Sequence, residues 1–230
     1  MAYVEHIEDT GHRSEQTAAE ETQDRGELLN MAVQHHQAGR LDEADGLYRL
    51  LLDVEPDHPD ALHLSGLIRL ARNQPGEAIE LIERALLVNP ANAAYYGNLG
   101  RAYAALDDSE KALECFRHAI EIDAHSAESL ASMGQILRKL ERYDEAIDSL
   151  EKARQIQPGS ADIESTLGSV YHAANRLEEG VACYQRAIGI DPNHAPAHAN
   201  LGLAQFDLGN LQEAINHDRR AVELQPDSAS

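Results

Sequence analysis

The chain has 230 residues, of which 40 are acidic and 19 basic, giving a formal charge of −21. Repulsion from that charge excludes a non-specific grip on nucleic acid or on an anionic membrane surface as the main activity. With two Phe and no Trp there is little to stack on bases, and two Cys are too few for a disulfide framework or a cysteine metal site.

Residues 1–24 carry seven acids, one Arg and no apolar run, which reads as a disordered acidic segment. It is unlike a secretory signal, so a cytoplasmic location is expected. No run of about 18 apolar residues occurs, so no membrane insertion is expected either.

From Arg25 onward the sequence repeats every 34 residues without insertion or deletion. Six repeats span 25–58, 59–92, 93–126, 127–160, 161–194 and 195–228, followed by a tail at 229–230. With each repeat numbered 1 to 34, position 8 reads Ala32, Gly66, Gly100, Gly134, Gly168, Gly202. Position 20 reads Ala44, Ala78, Ala112, Ala146, Gly180, Ala214. Two columns of small residues mark close helix contact. Apolar residues at helical spacing, such as Tyr96, Leu99 and Tyr103 followed by Leu113, Phe116 and Ile120, predict two amphipathic helices per repeat. Gly39, Asn73, Asn175 and Gly209 break the first helix from the second. Pro at position 32 (Pro56, Pro90, Pro158, Pro192, Pro226; Ala124 in the third repeat) stops the second. One such pair cannot bury both its faces, so neighbouring pairs must stack into a solenoid.

These motifs, YGNLGRAY (Tyr96 to Tyr103) and Ala112-Leu-Glu-Cys-Phe116 above all, resemble the tetratricopeptide repeat (TPR) family over residues 25–228. The resemblance implies an all-α, right-handed superhelical solenoid of six helix-turn-helix units. Its concave face would be lined by positions 2, 5, 6, 9, 12 and 13 of each first helix. One departure is Asp218, at a position that is aromatic in the family, so the sixth repeat is expected to pack differently.

The resemblance also implies function. Position 6 reads Asn30, Leu64, Asn98, Ser132, Thr166, Asn200, and a ladder of hydrogen-bonding side chains there would hold a peptide backbone. The alternative is a solvated helix face. Arg101, Gln135, Arg138 and Lys139 add a basic patch suited to acidic side chains, unless these cations pair with Glu on adjacent helices. Leu64, Leu67 and Leu70 form an inward stripe that would anchor a partner helix or be covered by residues 1–24. The carboxylate clamp of chaperone-binding relatives is absent, because position 5 reads Leu29, His63, Gly97, Ala131, Ser165, Ala199.

No nucleotide-binding, hydrolase or zinc-protease motif is present, so no catalysis and no cofactor are expected of this chain. His194, His198 and Asp191 straddle a helix start and are too few for a metal site. Cys115 and Cys183 are expected as buried core thiols. The expected function is a protein-interaction scaffold with a peptide or protein partner. HQAGRLDEADGLYRLLLDVEPDHPDALHLSGL also resembles the TPR regions that precede the catalytic domain of bacterial O-linked N-acetylglucosamine transferase-like glycosyltransferases, which makes an acceptor-recruiting arm the alternative. The sixth repeat has no polar capping helix after it, so a homodimer through that repeat is a further expectation.

Overall fold

The computed structural model describes residues 24–225, and no strand occurs among them. The expected segment 1–24 lies outside the described residues except for Asp24, as do Pro226 and the 229–230 tail. Twelve helices appear among the described residues, two per repeat. In the first four, α1 covers 24–37, α2 Leu41–Val54, α3 Pro59–Ala71 and α4 Pro75–Val88. Next come α5 (Ala93–Ala105), α6 (Ser109–Ile122), α7 (Ala127–Lys139) and α8 (Tyr143–Ile156). The last four are α9 (Ala161–Ala173), α10 (Leu177–Ile190), α11 (Ala195–Asp207) and α12 (Leu211–Leu224).

The chain divides into two compact parts, one up to Ala91 and one from Asn92. In the first, α3 packs on α4 and α2 on α3. Its core joins Ala32, Ala44, Tyr48, Leu51, Ala61 and Ile68. In the second part each even-numbered helix packs on its own partner, α6, α8 and α10 pack also on the first helix of the next repeat, and α5, α7, α9 and α11 touch in succession. Ile147 of α8 therefore shares a core with Leu167 and Val170 of α9, and Val181 and Ile188 of α10 pack against Leu201 and Ala204 of α11.

The small columns do what their size requires. A Cβ on Gly100 would stand 2.7 Å from Phe116 Cε1, and one on Gly168 would stand 2.6 Å from Tyr184 Cε1. Glycine at position 8 thus admits the large side chain at position 24 of the same repeat. In the sixth repeat that place is taken by Asp218, whose Oδ1 lies 2.1 Å from a Cβ built on Gly202. Correspondingly, α12 buries only Ala214, whereas α6 buries five residues.

Position 15 is left-handed in every repeat. Gly39 and Gly209 carry this at no steric cost, and Asn73, Asp107, Glu141 and Asn175 adopt φ between 58° and 68°. The residue at position 34 caps the next first helix. Asn92 Oδ1 accepts from the Ala94 and Tyr95 amides, Ser126 Oγ from Ser129 and Ser160 Oγ from Ile163. His58 and His194 cap in the same way through Nδ1. The second helix ends at position 30 in the third repeat too, where Ala124 stands in place of Pro. Proline is therefore not what stops it.

Candidate functional site

In the second part, the first helices present two clefts built from the predicted face. One, of about 140 Å³, brings together Asn98 and Arg101 of α5 with Ser132 of α7. Within it Arg101 donates to Asn98 Oδ1 at 3.2 Å and pairs with Glu128 at 3.3 Å. The other, of about 430 Å³, joins Arg138 of α7 to Ser169 and His172 of α9, Asn200 and Leu203 of α11, and Tyr184.

A polar network sets the floor of this larger cleft. Ser169 Oγ donates to the Ser165 carbonyl at 3.0 Å and accepts from Asn200 Nδ2 at 3.3 Å and from the Tyr184 hydroxyl at 3.4 Å. Burial raises the Tyr184 pKa, and the bond to Ser169 and the nearby Arg138 charge partly oppose that shift. His172 is held by Asp207, Nε2 to Oδ2 at 2.7 Å. Among the described residues Arg138 has no ion pair or hydrogen bond, so its guanidinium faces the cleft uncommitted.

The other predicted residues are dispersed. Lys139 is tied to Asp107, Gln135 is exposed on α7, and Thr166 is half-buried on α9 outside both clefts. In the first part, Asn30 is exposed on α1, and Leu64, Leu67 and Leu70 are half-buried along α3. Leu64 packs on that part's own core. His194 and His198 make other contacts: His194 caps α11 and meets Asp162 at 2.9 Å, and His198 donates to the Pro192 carbonyl at 3.1 Å and contacts His217. Cys115 and Cys183 are buried and in no disulfide, and burial pushes the Cys183 thiol up to about 11.

Reading the first-helix face alone missed a cleft of about 550 Å³ between the second helices α6 and α8 over α7. Its apolar lining includes Ile120, Leu130, Met133 and Ile156, with Arg117 and Lys152 at the edge. The signal was in the columns: Leu130 and Ser149 occupy positions that Glu164 and Cys183 fill one repeat later.

Among the described residues no helix is long and apolar enough to cross a membrane. No curated protein matches the chain. Solved structures share its fold. MamA residues 41 to the end, from Desulfovibrio magneticus RS-1, is 23% identical with a TM-score of 0.65, over 76% of this chain and 98% of that one. YrrB, described as a TPR protein with an unusual peptide-binding site, is 23% identical with a TM-score of 0.62, over 79% and 94%. PilF of Pseudomonas aeruginosa is 14% identical with a TM-score of 0.76, over 90% and 94%. Residues 5–230 match the family of the cilia and flagella-associated protein 70 C-terminal domain. With helix pairs every 34 residues and that match across nearly the whole sequence, the chain belongs to this TPR-type family.

Proposed function

We propose that the chain is a non-catalytic interaction scaffold that holds an extended peptide along its first helices. Asn98, Ser132, Thr166 and Asn200 meet the backbone, and Arg138 meets an acidic side chain. The observation that carries this reading is Arg138, an unpaired cation in a formed cleft beside Asn200. Its neighbours Arg101 and Lys139 already have carboxylate partners, so one guanidinium sets the charge preference. The peptide-binding site named for YrrB is a precedent in a protein of the same fold.

The test is selection of a random peptide library on the full chain. Selected peptides should rebind the wild type at least tenfold better than Asn98→Ala/Asn200→Ala, with an unchanged melting temperature. Their enrichment in Asp and Glu should vanish on Arg138→Gln. Equal binding by the double variant would sink the ladder.

Self-association through the last helix pair is a second reading, favoured by exposure. Ile215 and Val222 of α12 are each 51% exposed, whereas Leu113 and Ile147, which occupy the Ile215 position in earlier repeats, are buried. Light scattering should give a dimer mass that Ile215→Asp reduces to that of a monomer; a monomeric wild type at high concentration rejects it.

A further inference from the structure

In the second part, successive second helices pack on either side of the first helix between them, and the repeats differ in what lies there. Between α8 and α10 the filling is ionic. Glu164 of α9, 4% exposed, accepts from Arg186 Nε at 2.9 Å and lies 3.9 Å from Arg154. Arg186 also reaches Cys183 Sγ at 2.9 Å. Between α10 and α12 the Nδ1 atoms of His198 and His217 meet at 3.2 Å, and Arg220 donates to Asn193 at 2.8 Å. In the first part Leu62 is fully buried, and Arg84 donates to the Pro56 carbonyl at 2.7 Å.

Between α6 and α8 the same positions read otherwise. Leu130 stands where Glu164 does, Ile120 where Arg154 does, Ser149 where Cys183 does and Lys152 where Arg186 does. Small Ser149 turns inward, donating to the Leu130 carbonyl at 2.8 Å, and leaves the cleft of about 550 Å³ unfilled. The cations at the Lys152 position of the second, fifth and sixth repeats (Arg84, Arg186 and Arg220) are all engaged. Lys152 has no hydrogen bond or ion pair among the described residues. Of the acids at the edge, Glu145 is held in two bonds by Arg142, and Asp148 lies one turn from Lys152 without pairing to it.

We infer that the α6/α8 cleft docks an amphipathic helix of a partner protein, whose apolar side chains cover Ile120, Met133 and Ile156 and whose single carboxylate meets Lys152. The chain itself supplies the precedent, because in its next repeat the cation at the Lys152 position, Arg186, is paired with a carboxylate, whereas Leu130 leaves Lys152 without one. This surface lies between the second helices α6 and α8 and shares no lining residue with the first-helix clefts described above.

The experiment uses the full chain and two fluorescein-labelled alanine-based helices of about 16 residues, a length that supports a helix in water. Each carries two Leu one turn apart and a third group one turn further on, Glu in one and Gln in its twin. Fluorescence anisotropy should show saturable binding, about fivefold tighter for the Glu peptide, the worth of a half-exposed ion pair. Lys152→Gln should equalise the twins. Ser149→Leu, which puts into the cleft the leucine that Leu81 places at this position in the second repeat, should abolish both. In parallel, methyl resonances of Ile120, Met133 and Ile156 in the wild type should shift while the Asn98 and Asn200 side-chain amides stay fixed, so the docking is read even if Ser149→Leu loses helicity. Absence of binding, equal affinity of the twins for the wild type, a preference that survives Lys152→Gln, or shifts confined to Asn98 and Asn200 overturns the inference.

Discussion

Backbone strain and buried charge decide which single residues matter for stability. Glu141 adopts φ 59° at the turn between α7 and α8, a conformation that costs an ordinary side chain about 1 kcal/mol and glycine nothing. Glu141→Gly should therefore raise the melting temperature by about 2–4 °C, measured by circular dichroism. His63 is 7% exposed, and burial pushes its pKa down to about 4, partly offset by Asp60. The sign follows from linkage: a group held below its unfolded value of about 6.5 takes up protons first in the unfolded chain. Its contribution is full above pH 6.5 and is lost as the pH falls from there to about 4. Urea unfolding of His63→Gln should show a flatter stability profile over that window than the wild type. Of these features the breakers Gly39, Asn73, Asn175 and Gly209 were legible in the sequence. Asp107 and Glu141 were not, because nothing in an acidic residue announces a left-handed backbone.

Helices in this chain are set by columns of side-chain size more than by propensity. Alternation of small residues at positions 8 and 20 with bulk at position 24 announced the first five pairs, since that combination lets two helices approach closely. Asp218 breaks the combination, and α12 is correspondingly the least buried of the second helices from α2 onward. Replacing Asp218 by Leu, the counterpart of Leu150, should stabilise the sixth repeat by about 2 kcal/mol through apolar burial. Amide exchange read along residues 211–224 should slow accordingly, and unchanged exchange there would count against the packing account. Sequence columns put Asn98, Arg101, Ser132, Arg138 and Asn200 along one face, and the structure divides them, with the first three at one cleft and Arg138 with Asn200 at another. The columns left open whether the cations pair with acids on adjacent helices and did not single out Arg101 and Lys139 as the ones that do, which depends on where Glu128 and Asp107 come to lie. Nor did they show the α6/α8 cleft, a space left by several small differences at once.

At the scale of the whole molecule, each compact part carries its own core. The cluster around Tyr48 lies before Ala91, and those around Leu150, Ala153 and Tyr184 lie after Asn92. Because repeats in such arrays contact only their neighbours, stability adds along the chain instead of residing in one centre. Residues 92–230 produced alone should keep the per-residue helical signal of the full chain and melt cooperatively; a fragment without helical signal would refute local additivity. The 34-residue period and the all-α class were fully legible at this scale, because a solenoid writes the same instruction six times.

The capping side chains at position 34 have a consequence for how such an array can be cut and rejoined. Asn92, Ser126 and Ser160 belong by numbering to one repeat, yet their oxygens hold the first amides of the next. The transplantable cassette is therefore displaced by one residue from the repeat read in the sequence. It runs from a cap to the residue before the following cap, as in 126–159. Chimaeras spliced at that boundary carry each helix together with its own start signal, whereas those spliced one residue later leave it behind.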